Sequence, residues 1–211
     1  MTFQSLEYLI FFPIVFILYW TVCRGSKNLQ NGLVVAASLV FYGWWDWRFL
    51  GLLFLTVFST FFAGWLIGST ENQRMRKVLS VGAIVLNLGI LFFFKYFNFF
   101  VQAFADAFSL FGKELSISSL QILLPVGISF YTFSALSYSI DVYQRKVKPT
   151  KDVLAYLAYV MFFPSILSGP ISRAQKQLPQ YFTARNFDYN MSVDACKAIL
   201  WGRLSENLLG Y

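Results

Sequence analysis

A polar stripe interrupts an otherwise apolar chain at residues 123–141, where the sequence reads LLPVGISFYTFSALSYSID. In a helix that turns 100° per residue, five of these side-chain positions fall within a sector of roughly 80°. Phe133, Leu136 and Ile140 fall on the opposite side, where we expect hydrophobic surroundings. The stripe could therefore line a cavity, and its candidate tunnel or donor-binding residues are Gly127, Tyr131, Ser134, Tyr138 and Asp141.

Two interpretations of this stripe stay open. Small and hydroxyl residues are common where membrane helices pack together, so the serines could simply join helices. An ionisable group such as Asp141 is costly within a membrane unless it is paired or lies at the interface. Asp141 is therefore either a functional carboxylate that faces the interior, or an interfacial carboxylate paired with Arg145 one turn further on.

A second candidate stretch, FFPSILSGPISR, occupies residues 162–173. Pro164 interrupts the helical pattern, and Gly169 with Pro170 predicts a turn just before Arg173. Free backbone N–H groups beside a guanidinium suit an anionic group. The alternative is the ordinary end of a span, with an arginine that reaches to the interface.

The chain offers no group for acid–base catalysis of the usual kind, because it contains no histidine. This removes the commonest general base, every histidine triad and every histidine metal site. The sequence has no glycine-rich phosphate loop ending in Lys-Ser or Lys-Thr. Cys23 and Cys196 are too far apart for a metal-ligand spacing. We therefore assign neither a catalytic residue nor a metal site to this chain.

The elements that position these residues are apolar helices. The chain is 57% hydrophobic and 13% charged, whereas soluble domains carry roughly 25% charge. Apolar segments near the ~20 residues that cross a ~30 Å hydrocarbon core recur along the chain. They predict an all-α integral membrane protein with about six transmembrane or re-entrant helices, at residues 6–23, 29–45, 48–68, 78–101, 119–143 and 152–171.

Charge between the segments predicts the orientation of the chain in the bilayer. The gaps after the first, third and fifth segments hold nine Lys and Arg residues, and those after the second and fourth hold two. The positive-inside rule then places the N-terminus outside, and it explains the net charge of +7 without a nucleic-acid partner. Basic residues after the sixth segment, such as Arg173 and Arg185, contradict this alternation. Either the sixth segment does not cross, or a proline-bearing segment re-enters within protein surroundings.

Four motifs in a fixed order carry a family resemblance: FYGWWDWRFL, NLGILFFFKYFNFF, LPVGISFYTFSALSYSIDVYQRK, and FFPSILSGPISR followed by LPQ. Residues 1–202 resemble the N-terminal half of the membrane-bound O-acyltransferases, of the bacterial alginate O-acetyltransferase type. The resemblance implies a larger helical fold around a tunnel in the bacterial inner membrane. It also implies an acyl donor such as acetyl-CoA or a carrier thioester, and acetyl transfer to polysaccharide or cell-wall hydroxyls. The stripe and the Gly169–Arg173 turn would then belong to the tunnel wall.

Departures from the family limit what the resemblance implies. The catalytic histidine of the family lies in a later helix, so no residue here matches it. Ser134 stands where relatives usually have Gln or His, and residues 203–211 diverge, which we expect to reflect a truncated or split gene. We therefore expect this chain alone to be inactive and to need a C-terminal half, or a partner acetyltransferase that holds the polysaccharide acceptor. The alternatives are a non-catalytic scaffold or split subunit, and a small transporter that uses the polar stripe.

Overall fold

The computed structural model describes residues 5–109, 125–167, 169 and 173–209, apart from some side chains near 98–109 and 203–209. These residues form α-helices and one short 3₁₀ helix, with no strand among them, so the predicted all-helical fold is confirmed for this part of the chain. The α-helices are α1 (Leu6–Thr21), α2 (Lys27–Gly43), α3 (Phe49–Ser69), α4 (Gln73–Ser109), α5 (Ile128–Tyr143), α6 (Val153–Val160), α7 (Phe163–Ile166), α8 (Ala174–Gln177) and α9 (Tyr189–Leu209), and the 3₁₀ helix is Leu178–Tyr181.

Two of the described helices are long and apolar enough to cross a membrane. Their apolar stretches are Phe49–Ser69 and Gln73–Phe97, with mean hydropathies of 2.0 and 2.1. Helix α1 is also apolar but has only 16 residues, which rise about 24 Å and fall short of a ~30 Å hydrocarbon core. Helices α2 and α5 have 17 and 16 residues. The expected count of about six spans is therefore not reproduced by helix length in the described residues.

Side-chain oxygens fix the starts of α2 and α6. The Ser26 hydroxyl accepts the backbone N–H of Leu29 at 3.5 Å, and the Asp152 carboxylate accepts that of Ala155 at 3.0 Å. Such caps satisfy N–H groups that have no partner in the first turn of a helix. The other oxygen of Asp152 pairs with Lys27 Nζ at 3.1 Å. This ion pair holds the start of α6 beside the start of α2.

In its described residues, the sixth apolar segment, 152–171, forms two short helices and no helix long enough to span a membrane. Helix α6 has eight residues and α7 has four, and eight helical residues rise only about 12 Å. Just before the segment, the backbone N–H of Thr150 donates to the Tyr138 hydroxyl at 3.0 Å. Just after it, the N–H of Gln175 donates to Asp141 Oδ2 at 3.4 Å. Both ends of the segment thus lie near the end of α5, which agrees with the interpretation that the segment does not cross.

The basic segments of the chain meet at one end of the helix bundle. Lys27 pairs with Asp152, Gln30 bonds to the backbone of Arg185, and Arg76 bonds to the end of α5. These contacts gather four connecting segments, which explains why the residues after the sixth segment are also basic. The Lys and Arg residues of this end are Arg24, Lys27, Arg74, Arg76, Lys77, Arg145, Lys146, Lys148, Lys151, Arg173, Lys176 and Arg185.

Arg76 joins three helices at this basic end, although it is only 6% exposed. Its Nη1 donates to the Ile67 carbonyl of α3 at 3.1 Å. Its Nη2 donates to the carbonyls of Val142 and Tyr143 in α5, each at 3.1 Å. The last carbonyls of a helix have no intrahelical partner and carry partial negative charge. The guanidinium therefore satisfies the ends of α3 and α5 together.

Tyrosines form the centre of the packing between α3, α5 and α6. The side chains of Tyr138, Tyr156 and Tyr159 are at most 1% exposed, and the rings of Tyr138 and Tyr156 lie 4.7 Å apart. The Tyr156 hydroxyl is 2.8 Å from Thr60 Oγ1, so this buried polar atom is satisfied. Gly64 lets the Tyr138 ring lie directly on α3, because a Cβ at position 64 would overlap the ring.

The connection between α2 and α3 lies at the opposite end of the bundle. Asp46 accepts hydrogen bonds from the guanidinium of Arg48, with a shortest contact of 2.8 Å. This hydrogen bond holds the pKa of the Asp46 carboxyl below its ordinary value. Trp44, Trp45 and Trp47 are all exposed around it. Asp46 and Arg48 thus form an ion pair within a group of exposed tryptophans, a composition typical of a membrane–water interface.

Candidate functional site

The polar stripe of α5 faces the interior of the bundle. The side chains of Tyr131, Ser134 and Tyr138 are 1%, 9% and 0% exposed. On the side expected to meet hydrophobic surroundings, Phe133 is 41% exposed, whereas Leu136 is buried. Leu136 is buried because α5 packs against both α3 and α4. These two helices cover part of the apolar side of α5 as well as its polar stripe.

At the start of α5, Gly127 makes the approach to α7 possible. Its φ of 76° lies in the left-handed region, which glycine enters without a Cβ clash. A Cβ at this position would also overlap the carbonyl of Ile166. One turn on, the rings of Tyr131 and Tyr42 meet edge to face, with centroids 6.2 Å apart. The absence of a side chain at Gly127 thus allows α7 to pack directly against the start of α5.

The middle of the stripe is a hydrogen-bond cluster around the Ser134 carbonyl. The hydroxyls of Ser137 and Tyr159 both donate to this carbonyl at 2.9 Å. The Ser137 hydroxyl also accepts the backbone N–H of Ala174 at 3.2 Å. Ser137 lies outside the predicted set, but it is the residue that joins α5, α6 and α8. Ser137 could have been identified from the sequence, because it lies one helical turn after Ser134 at the edge of the stripe.

At the end of α5, Asp141 does not pair with Arg145. Arg145 has a φ of 60°, and its N–H donates to the Val142 carbonyl at 3.1 Å, while the N–H of Lys146 donates to the Asp141 carbonyl at 2.9 Å. This pair of bonds is a Schellman ending, which reverses the chain and removes Arg145 from the helical position one turn after Asp141. The Asp141 carboxylate instead accepts the N–H of Gln175 at 3.4 Å.

The second predicted set lies partly outside the described residues. Pro170 is not among them. Gly169 donates its N–H to the Ser165 carbonyl at 3.1 Å, and it lies so close to Ser165 that a Cβ would overlap that residue. Arg173 is exposed and begins α8, where its carbonyl accepts from Lys176 and Gln177 at 3.1 Å. The bonds of the next two residues to Ser137 and Asp141 bring this segment against the polar stripe.

Most polar groups of the stripe are engaged in holding helices together, but some are not. The hydroxyls of Tyr42, Tyr131 and Thr132 are buried without a hydrogen-bond partner of good geometry among the described residues. A buried polar atom without a partner costs about 1–3 kcal/mol. Tyr42 also borders a small cavity together with Val126 and Leu167. Of these three hydroxyls, that of Tyr131 belongs to the stripe, and together with the neighbouring hydroxyl of Tyr42 it could donate a hydrogen bond to a bound acyl group.

A second polar cluster, which the sequence reasoning missed, fastens the chain after α8 to α2. The Gln30 side chain donates to the Arg185 carbonyl at 2.8 Å and accepts the Arg185 N–H at 2.9 Å. Asn31 donates to the Tyr181 carbonyl at 2.9 Å and accepts from the Arg185 guanidinium. That guanidinium lies between two rings, 5.4 Å from the centroid of Tyr19 and 5.1 Å from that of Tyr181. We call these five residues the arginine cluster.

The signal for the arginine cluster was the adjacent pair Gln30 and Asn31 in an apolar helix. Both side chains are fully buried, and buried amides need several hydrogen bonds. The sequence alone did not show their partners, which lie some 150 residues away. Burial raises the pKa of the Tyr181 phenol above its ordinary value, and the Arg185 guanidinium opposes that shift. The phenol therefore stays protonated and neutral at physiological pH.

The arginine cluster borders a cleft of about 330 Å³ between α1, α7 and the 3₁₀ helix. Its walls are mainly aromatic and aliphatic, and they include Phe12, Val15 and Phe16 of α1. The polar wall consists of Gln177, Gln180 and Arg185. The candidate tunnel residues of α5 are not among the residues that line this cleft.

The described part of the chain holds no cluster of His, Cys, Asp and Glu side chains that could bind a metal ion. Cys23 is buried and Cys196 is exposed, and both are free thiols. No protein-family profile matches the chain. No solved structure matches it either.

Curated relatives match nearly the whole chain. It is 34% identical over 209 residues to the probable alginate O-acetylase AlgI of Azotobacter vinelandii, an alignment that covers 98% of this chain and 41% of that protein. It is 35% identical over 207 residues to the probable alginate O-acetylase AlgI of Pseudomonas aeruginosa, covering 96% of this chain and 38% of the relative. A peptidoglycan O-acetyltransferase of Helicobacter pylori is 28% identical over 83% of this chain and 37% of its own length.

The chain therefore spans about two fifths of the length of these relatives. The similarity covers all four motifs that the sequence pointed to, together with the connections between them. Two of these relatives are named for acetyl transfer to alginate, and the third for acetyl transfer to peptidoglycan. Over nearly its whole length, this chain is therefore similar to alginate O-acetylases, which confirms the family resemblance carried by the four motifs.

Proposed function

We propose that this chain forms part of the helical wall of a membrane O-acyltransferase that transfers acetyl groups to hydroxyls of a polysaccharide or of the cell wall. The observation that carries the proposal is the alignment of nearly the whole chain with alginate O-acetylases. The buried polar stripe supports it, because a path for an acyl group through a membrane needs polar groups that face protein rather than lipid.

The stripe would serve the reaction in two ways. Ser137 and Asp141 hold the segment after Arg173 against α5, which keeps the wall rigid. The buried hydroxyls of Tyr42 and Tyr131, which have no hydrogen-bond partner of good geometry among the described residues, would donate hydrogen bonds to the acyl carbonyl as it passes. Transfer to a hydroxyl also requires a base that accepts the proton of that hydroxyl. This chain has no histidine, so we expect the base to come from another segment or polypeptide.

The orientation follows from the charge of the two ends. The basic end of the bundle would face the cytoplasm of a bacterial inner membrane, and the N-terminus would lie outside. A thioester donor such as acetyl-CoA, or an acyl group on a carrier protein, is anionic and would be attracted to the basic end. The acceptor would then be reached from the opposite end, through a C-terminal half or a partner acetyltransferase.

The first experiment is an acetyl-transfer assay on this chain alone in proteoliposomes, with acetyl-CoA as donor and alginate as acceptor. We expect no turnover above protein-free vesicles, because the base is missing. Turnover without a second polypeptide would overturn the proposal.

The second experiment replaces the matching part of the Azotobacter vinelandii relative with this chain and measures alginate acetylation. We expect the chimera to acetylate alginate, and Tyr131→Phe, Asp141→Asn and Arg173→Ala to lower the rate. Lys197→Ala, which removes an exposed charge of α9 outside both the stripe and the basic end, is the matched control. Protein levels must be compared in every case. Unchanged acetylation at unchanged protein level in all three variants would show that the stripe and turn residues are wrongly assigned.

A further inference from the structure

We propose that the cleft between α1, α7 and the 3₁₀ helix is a binding site for an anionic phospholipid of the phosphatidylglycerol type. The site is distinct from the polar stripe, and it does not depend on the proposed acyl transfer. It combines an uncompensated guanidinium, a buried acceptor without a partner and an apolar channel that runs along α1.

The guanidinium of Arg185 supplies the positive charge of the site. Among the described residues, the three ion pairs are Lys27–Asp152, Arg48–Asp46 and Lys197–Asp194, so no described carboxylate neutralises Arg185. Its Nη2 is engaged with Asn31, and its Nε is buried without a partner. A phosphate accepts hydrogen bonds from a guanidinium fork with good geometry.

Gln177 supplies a second polar group of the site, an amide oxygen that accepts a hydrogen bond. Its Oε1 atom is buried and has no hydrogen-bond partner among the described residues, and the residue borders the cleft together with Arg185. An amide oxygen accepts a hydrogen bond and therefore needs a donor such as a hydroxyl. A phosphate together with a free hydroxyl is the headgroup of phosphatidylglycerol. A zwitterionic choline headgroup offers no such hydroxyl.

The shape of the cleft fits an acyl chain below that headgroup. Its polar wall lies at the basic end of the bundle, whereas Phe12 and Phe163 lie deeper. From Trp20 to Phe12 the apolar wall of α1 rises about 12 Å. None of the residues of α1 is buried, and Ile14 is 53% exposed on its outer face. A cleft beside such a helix opens towards hydrocarbon, which favours a lipid over a soluble anion.

A neighbouring cleft of about 420 Å³ shares two of these walls. Phe16 and Trp20 separate it from the first cleft, and Arg24 lines its polar end. Two apolar grooves that flank one aromatic ridge, with a cation at the basic end of each, match a lipid with two acyl chains and one anionic headgroup. A lone phosphate would leave both grooves empty.

The test is a native mass-spectrometry titration of the delipidated full chain with dioleoylphosphatidylglycerol. Dioleoylphosphatidylcholine and dioleoylphosphatidate are the comparison lipids. We expect phosphatidylglycerol to bind about tenfold more tightly than phosphatidylcholine, which corresponds to about 1.4 kcal/mol. Arg185→Gln should abolish this preference, and Gln177→Leu should remove the preference for phosphatidylglycerol over phosphatidate.

Matched variants separate the headgroup site from the acyl groove. Val15→Trp fills the groove and leaves Gln30, Asn31 and Arg185 unchanged, and it should weaken phosphatidylglycerol binding about tenfold. Ile14→Trp adds the same side chain on the exposed face of α1 and should leave binding unchanged. Lys176→Gln removes an exposed charge from the basic end and should also leave binding unchanged.

Because Arg185 also anchors the chain to α2, its variant could unfold, and thermal melting must be compared. Val15→Trp keeps the proposal testable in that case. Equal binding of all three lipids, or an unchanged affinity in Val15→Trp, would overturn the proposal. Displacement of the lipid by inorganic phosphate, together with insensitivity to Val15→Trp, would identify a site for free anions and would overturn it as well.

Discussion

Arg76 of α4 holds the ends of α3 and α5 together by hydrogen bonds. It is buried, yet it bonds to backbone carbonyls rather than to a carboxylate. A buried cation is costly unless its hydrogen bonds are satisfied. Here two helix ends with partial negative charge supply the acceptors. The guanidinium loses its hydrating water on burial. It gains hydrogen bonds to backbone carbonyls at two helix ends in return.

Arg76→Met should destabilise the chain by about 3 kcal/mol, because hydrogen bonds from a charged group are lost and the carbonyls of Ile67 and Tyr143 lose the bonds that the guanidinium donates to them. The measurement is thermal unfolding in detergent. Arg74→Met is the control, because Arg74 has the same charge two residues earlier but is exposed. An equal melting temperature for the two variants would show that the guanidinium does not join α3 and α5.

At the scale of the element, α3 and α5 depend on a small residue at their contact. Gly64 receives the ring of Tyr138, and the Tyr138 hydroxyl accepts the N–H of Thr150. Small residues allow membrane helices to approach closely, and there the gain comes from packing rather than from the hydrophobic effect. The same ring thus joins two helices and fixes the connection to α6.

Gly64→Ala should destabilise the chain by about 1–3 kcal/mol, because the new Cβ overlaps the Tyr138 ring. Gly82→Ala in α4 is the matched control, since no atom lies within 4 Å of a Cβ at that position. It should have no destabilising effect, because alanine is the better helix former. The measurement is again thermal unfolding. If Gly64→Ala also melts like the parent chain, the close approach of α3 and α5 is wrong.

At the scale of the whole molecule, the path of the 152–171 segment decides which residues share a side of the membrane. The contacts of Thr150 and Gln175 with α5 place the chain before and after this segment at the basic end. The arginine cluster ties the following residues to the start of α2. A membrane protein can hold such a non-spanning segment only where protein surrounds it.

Single cysteines at positions 148 and 183 should therefore react with a membrane-impermeant maleimide from the same side. The background replaces Cys23 and Cys196 by alanine, and Lys148→Cys and Thr183→Cys are the exposed reporters. Trp47→Cys, in the connection at the other end of the bundle, should react from the opposite side. The measurement is labelling of intact spheroplasts compared with inverted vesicles. Labelling of positions 183 and 47 from the same side would contradict the fold.

The buried stripe and the family were predictable from the sequence, because helical periodicity and ordered motifs are local signals. The hydrogen-bond partners of the stripe residues could not be predicted from the sequence. Asp141 does not pair with Arg145, because the helix ends in between, and a helix ending of this kind is usually marked by glycine. The bond of Gln175 to Asp141 depends on how a segment more than thirty residues later returns to α5. Helical spacing gives no information about such a contact.

By itself, the sequence determined the all-helical class, the apolar character of the helices and the interior face of α5, since each depends on composition or on the 3.6-residue period. The order of four motifs determined the family resemblance. Only the tertiary structure decided that both described ends of the sixth apolar segment lie near the end of α5, and that four basic connecting segments meet at one end of the bundle. It also decided that Gln30 and Asn31 hold Arg185 at the edge of an apolar cleft. These features join residues far apart in the chain, and such pairings follow from the packing of whole helices rather than from any local pattern.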